Sequence, residues 1–184
     1  NNYTWQPGPL VGATVFVNPL VTTVYTVTGA NLSGCTKTAV VTVSISPGPT
    51  IAIAATNNTI CAGTTVTLTP SGATTYSLYP GSITGTVFAV TPTVSTTYTV
   101  LGSNSVGCPG VNTVQIIVNP IPIVTISVLP SNSICIGTTA TLTASGASTY
   151  TWLTSPLAVT PTIIDTPISN TLYTVVVTSS AGCV

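Results

Sequence analysis

Charge is almost absent from this chain. Among 184 residues Lys37 is the only base and Asp165 the only acid, and there is no histidine and no methionine. A nucleic-acid binder neutralises several phosphates with Lys or Arg, so one lysine excludes that partner. General acid–base chemistry needs His, Glu, Asp or Lys placed together, and Lys37 and Asp165 fall in different parts of the sequence. Calcium and magnesium sites take clustered carboxylates, and zinc takes Cys/His sets; neither is available, so no catalytic residue, metal or cofactor is expected. Long apolar runs are missing too. The most apolar one, residues 116–129, is interrupted by Asn119, Pro120 and Pro122 and falls short of the roughly 20 apolar residues of a spanning helix, so no membrane insertion is expected. No signal-peptide pattern is present, and with its abrupt opening "NNYTW" the sequence reads as a window on a longer polypeptide.

What remains is Thr, Val, Ser and Ala, with 15 Gly and 15 Pro. Threonine and valine favour a pleated, half-buried backbone, and Gly and Pro punctuate it at turns. The composition predicts an all-β chain. Soluble proteins usually carry about a quarter charged residues, so this surface must be covered by hydroxyls and amides, by sugars, or by other subunits. Low charge and high β-propensity favour lateral association, so copies of the molecule itself are the expected partner.

The chain aligns on itself in three copies. Tyr3, Tyr76 and Tyr150 correspond, as do Tyr25, Tyr98 and Tyr173, and then Cys35, Cys108 and Cys183, at offsets of 73 to 75 residues. That period suits a small β-sandwich domain. In the middle copy, Thr50 to Thr56, "TVTLTP" with Val66 and Leu68 on one face, "TTYSLYP", "TVFAV", "TTYTVLG" and "NTVQIIV" read as six or seven period-two strands. Pro-rich joints at "SPGPT" and "NPIPI" are semi-rigid. The expected division is a partial repeat over 1–47 holding C-terminal strands, a complete repeat over 48–121, and a repeat over 122–184 lacking its last strand. Trp5, Leu78 and Trp152 occupy one equivalent position in the third strand. Together with Tyr25, Tyr98 and Tyr173 they are expected as core residues between two sheets.

The ordered set Cys61, Gly63, Thr64, Leu68, Ser71, Gly72, Ala73, Tyr76, Pro80, Gly81, Tyr98, Val100, Gly107 and Cys108 resembles the immunoglobulin-like and PKD-like repeats of very large secreted proteins of Bacteroidota. The resemblance implies tandem immunoglobulin-like β-sandwich domains in a cell-surface or secreted adhesin, stalk or spacer, of a kind often exported by the type IX system. Leu78 stands where that pattern has tryptophan, and the third copy reads "WLTSPL" where Pro-Gly would follow.

Five cysteines without a histidine to activate them point to structural disulfides in an oxidising, extracellular compartment. Pairing within each copy joins Cys61 to Cys108 and Cys135 to Cys183, leaving Cys35 to pair outside the sequence. The alternative is a staple between neighbours, Cys61 to Cys183. It follows if the turns bearing the two cysteines of one copy lie at opposite ends of a sandwich, beyond the roughly 4.4 to 6.8 Å between α-carbons that a bridge tolerates.

The functional expectation is a structural extracellular filament, stalk or adhesin shaft that self-associates. The alternatives are a module binding surface glycans through aromatics such as Tyr79 and Phe88, or a spacer of a secreted multidomain hydrolase. Threonine ladders such as "TVTLT" are the solvent side of strands before they are an ice-binding face. Asn2, Asn31 and Asn57 open N-x-Ser/Thr sequons, which a chain rich in Asn and Thr produces by chance.

Overall fold

Alternating threonine and aliphatic residues put one apolar row on each strand, and the strands pair so that these rows meet. In the computed structural model, which describes residues 2–184, every regular element is a β-strand. The first copy holds β1 (Asn2–Gln6), β2 (Leu10–Val11), β3 (Thr23–Ala30) and β4 (Thr36–Val43) in one sheet of order β2-β1-β3-β4. The second holds β5 (Ala52–Ala55), β6 (Thr59–Cys61), β7 (Val66–Ser71), β8 (Thr75–Tyr79), β9 (Ile83–Thr84), β10 (Phe88–Val90), β11 (Thr96–Ser103) and β12 (Pro109–Asn119). The third holds β13 (Thr125–Leu129), β14 (Ala140–Ser145), β15 (Thr149–Trp152), β16 (Thr162–Asp165) and β17 (Val175–Thr178).

The second copy is a two-sheet sandwich, with β10-β7-β5 facing β6-β12-β11-β8-β9. Val66 and Leu68 of β7 and Phe88 of β10 meet Leu78 of β8, Val100 of β11 and Ile116 of β12 in one buried cluster. Each such side chain contributes about 1.5–3 kcal/mol on burial. The third copy repeats the plan with β13-β14-β16 and β15-β17 around Leu142, Ala144, Trp152 and Ile163.

Residues aligned between the copies take the same pairing register. Trp5 lies opposite Val27, Leu78 opposite Val100, and Trp152 opposite Val175. Tyr3 lies opposite Gly29 and Tyr76 opposite Gly102. A Cβ on Gly102 would come within 3.1 Å of the Tyr76 ring, so the glycine provides the room the aromatic occupies. The Ser-Gly-Ala turns are held the same way in both complete instances. The Tyr76 hydroxyl donates to the Ala73 carbonyl (2.7 Å) and that of Tyr150 to the Ala147 carbonyl (2.9 Å). Gly72 and Gly146 in these turns have φ of +98° and +99°, and a Cβ on either would stand 2.0 Å from a backbone carbonyl oxygen.

The six expected core positions divide by their surroundings. Leu78 and Trp152 are completely buried, and Tyr25 and Tyr98 nearly so. Trp5 and Tyr173 are only half-buried. Among the described residues no second sheet covers the face of β1 that carries Trp5, and Tyr173 borders an open groove. Two strands of the second copy, β6 and β9, lie outside the segments expected from alternation. The accessible surface of 11724 Å² exceeds the roughly 8200 Å² of a compact folded chain of this mass, as a single-layer first copy would produce.

Candidate functional site

The cysteines sit in two local structures, each used repeatedly. The first is a tight turn after the β3, β11 and β17 strands. The backbone N–H groups of Asn31, Asn104 and Ser179 donate to the carbonyls of Cys35, Cys108 and Cys183 at 3.0, 3.1 and 2.8 Å. In return the cysteine N–H groups donate to Asn31 Oδ1, Asn104 Oδ1 and Ser179 Oγ at 3.0, 2.9 and 3.1 Å. Short polar side chains close such turns on their own backbone, and Gly34, Gly107 and Gly182 supply the positive φ. The second structure is the Ile-Cys-x-Gly-Thr segment, where Thr64 and Thr138 N–H donate to the carbonyls of Cys61 and Cys135 at 3.0 Å.

One disulfide joins a member of each class, Cys61 to Cys183, with 5.5 Å between α-carbons. It links the second copy to the third. The within-copy pairings Cys61–Cys108 and Cys135–Cys183 are therefore corrected, and Cys35, Cys108 and Cys135 are free. The reason is the edge strand β6. It runs parallel to the end of β12, placing Cys61 beside Asn119, whereas Cys108 precedes Pro109 at the other end of that strand. Ten residues of strand separate the two places by about 33 Å, far outside disulfide reach.

The Cys61–Cys183 junction has a twin between the first and second copies. Cys183 Sγ lies 3.8 Å from the Asn119 carbonyl oxygen, and the Cys108 thiol donates to the Ser46 carbonyl at 3.3 Å. Asn119 and Ser46 are equivalent positions 73 residues apart. Asn104 adds Nδ2 donations to Ser46 Oγ (3.3 Å) and the Pro47 carbonyl (3.1 Å). Gly48 and Gly110 allow the proline joint to lie against β12, since a Cβ on either would stand 2.1–2.2 Å from the opposite carbonyl oxygen.

Other concave features are shallow. A groove of about 550 Å³ runs between Ile134, Leu142 and Tyr173. Beside it the Tyr173 hydroxyl donates to the Asp165 carboxylate, which also accepts from the Thr166 N–H. The Tyr173 bond first, then that of Thr166, holds the Asp165 carboxyl below its ordinary value, and the same contact raises Tyr173. Burial raises Tyr98. Lys37 is exposed on β4. Among the described residues no group of three or more His, Cys, Asp or Glu gathers where an ion could be held, and no helix is long and apolar enough to cross a membrane. Of the two aromatics considered for gripping glycans, Tyr79 is exposed, but Phe88 is 2% exposed in the core of the second copy, so it is corrected to a packing residue.

No protein-family profile matches the chain. No curated protein matches it. Among solved structures it is similar to a Ca2+-stabilized adhesin that helps an Antarctic bacterium reach out and bind ice, at 14% identity and a TM-score of 0.35, over 88% of this chain and 54% of that one. It is also similar to a structure from a 1.5-MDa bacterial ice-binding adhesin, described for host cell surface retention, at 18% identity and a TM-score of 0.34, over 87% of this chain and 69% of that one. The chain spans about half the length of the first.

Proposed function

We propose that this chain is a segment of an extracellular adhesin or filament shaft, built of tandem immunoglobulin-like sandwich domains over 1–47, 48–121 and 122–184, with no enzymatic activity of its own. The observation that carries the reading is the disulfide between Cys61 and Cys183, whose Cys183 half has its counterpart in the Cys108 thiol against Ser46 at the other junction. A cross-link placed between repeats stiffens an array, where one placed within a repeat would only stabilise the unit. Disulfides persist in oxidising compartments, which supports a location outside the cell or on its surface. The strand order of the second copy, in which the chain crosses between the two sheets from β7 to β8 and from β10 to β11, supports the immunoglobulin-like assignment. The likeness of the repeated motif to secreted repeats of Bacteroidota carries the further reading of export by the type IX system.

Association with further copies belongs to the same proposal. Phe16, Leu20, Ile123 and Leu172 are each more than four-fifths exposed, and there is almost no charge to oppose contact between chains. Small-angle X-ray scattering of the oxidised chain at dilution tests the shaft. A compact chain of this length has a radius of gyration of about 16 Å. Copies laid end to end, each about one long strand of 33–36 Å in length, give roughly 25–30 Å. A value near the compact limit contradicts a shaft.

A further inference from the structure

The joints at residues 46–50 and 119–123 meet the same cysteine turn, but the two turns differ in what they can grip. At the first joint the turn opens on Asn104. Its Oδ1 accepts from the Val106 and Cys108 N–H groups at 3.0 and 2.9 Å, which leaves Nδ2 to donate to Ser46 Oγ (3.3 Å) and the Pro47 carbonyl (3.1 Å). One side chain of the second copy thus holds the exit of the first. At the second joint the turn opens on Ser179. Its Oγ accepts from the Cys183 N–H at 3.1 Å, so the turn closes as before, but serine has no amide group to reach on to Asn119 and Pro120. The joint segments differ as well. Gly48 passes so close to the start of β12 that a Cβ on it would stand 2.2 Å from the Pro109 carbonyl oxygen. Since Ser46 corresponds to Asn119 and Cys108 to Cys183, position 48 corresponds to Ile121 and Pro109 to Val184. Ile121 carries the Cβ that such an approach excludes, so the second joint stands off where the first lies close.

We propose that the second joint is a hinge locked by the Cys61–Cys183 disulfide, whereas the first is fixed without a cross-link by Asn104 and the close backbone approach at Gly48. This deepens the shaft reading and rests on it. Domains of one chain move against one another unless a substantial interface holds them, so each joint needs something to fix it. At the first, the Asn104 amide and the Cys108 thiol, which donates to the Ser46 carbonyl at 3.3 Å, hold a segment that prolines already stiffen. The amide is oriented by its own turn before it meets the joint, so little side-chain freedom is lost in the contact. At the second, Cys183 Sγ lies 3.8 Å from the Asn119 carbonyl oxygen, and the firm tie is its bond to Cys61 on β6, which is itself paired with the end of β12. Opening that bond with a dithiol breaks the S–S bond, leaves two thiols on the chain and converts the reagent to its own disulfide. The second joint then relies on its proline segment. Positions 104 and 48 and their equivalents therefore set whether a joint of the shaft is stiff by packing or stiff only by cross-link.

Double electron–electron resonance on the whole chain tests this, with p-acetylphenylalanine placed at exposed Thr38, Thr113, Ser127 or Thr149, two sites at a time, and carrying oxime-linked gadolinium tags so that every cysteine stays native. Thr38 with Thr113 spans the first joint, Thr113 with Thr149 the second, and Ser127 with Thr149 lies within the third copy. In the oxidised chain all three pairs should give narrow distance distributions. Dithiothreitol should broaden the second joint at least about twofold, because motion is the default once no firm tie remains, and should leave the other two pairs as they were. Cys61→Ala with Cys183→Ala should broaden it equally without reductant. Asn104→Ser keeps an acceptor for the Cys108 N–H and removes only the amide donor, so it should broaden the first joint in the oxidised chain. A second joint that stays narrow in the double alanine variant overturns the proposal. So does a first joint that is broad in the oxidised chain, that broadens with the second under reductant, or that Asn104→Ser leaves unchanged. Broadening within the third copy overturns it too, since the disulfide would then hold the copy and not the joint. Each of these results can occur with the oxidised chain extended, so the shaft reading is judged separately by its scattering.

Discussion

At the scale of single residues, equivalent positions in the three copies differ in what covers them, and that decides their energetic weight. Trp152 is fully buried between two sheets, and its Nε1 donates to the Thr160 carbonyl at 3.0 Å. Trp5 makes the same kind of bond, to the Gly12 carbonyl at 3.0 Å, but its sheet has no partner sheet over it. Truncating a buried tryptophan removes its transfer energy and leaves a cavity. Trp152→Ala should therefore destabilise the chain by about 3–5 kcal/mol, and Trp5→Ala by about 1 kcal/mol, in urea denaturation followed by circular dichroism. Equal effects would mean that the face of β1 is covered in solution. The sequence aligns the two tryptophans, and each lies opposite a valine of the neighbouring strand. It could not tell that only one is enclosed, because enclosure depends on strands remote in the chain.

At the scale of elements, strands with four or more alternating residues were legible, and the turns between them were marked by Gly, Pro, Asn and Ser. Thr59–Cys61 and Ile83–Thr84 were not. Runs of three and two residues show no period of their own, and they become strands only through a longer neighbour. The first of them matters most. Its parallel pairing with β12 fixes which end of the sandwich Cys61 occupies, and hence which partner is within reach. The pattern of one cysteine pair per copy pointed to closure within the copy. Strand length overrules it, since β12 extends over eleven residues and keeps its two ends apart.

At the scale of the whole molecule, the missing charge governs the response to conditions. Acid denaturation ordinarily protonates carboxylates whose folded values are depressed, and this chain has one such side chain. Asp165 is lowered by Tyr173 and then by Thr166. A lowered folded value contributes stability above the unfolded value of about 3.9, and that contribution disappears as pH falls through the folded value. Tyr173 is raised, so its contribution holds below about pH 10 and is lost above. Melting temperature should therefore be constant from about pH 5 to 7, and Asp165→Asn should flatten what acid dependence remains. A transition inside that window would require a side chain such as histidine, which the sequence does not contain.

The cross-link of the molecule runs between its second and third copies. Closing the 122-residue separation between Cys61 and Cys183 contributes up to about 5 kcal/mol by loop-closure entropy and couples two otherwise separate cores. Proteolytic mapping of the oxidised chain under non-reducing conditions, read by mass spectrometry, tests this directly. The predicted product is a peptide containing Cys61 joined to one containing Cys183, with Cys108 and Cys135 open to alkylation. A peptide joining Cys61 to Cys108 would contradict it, because the repeats would then be closed units and their junctions uncrosslinked.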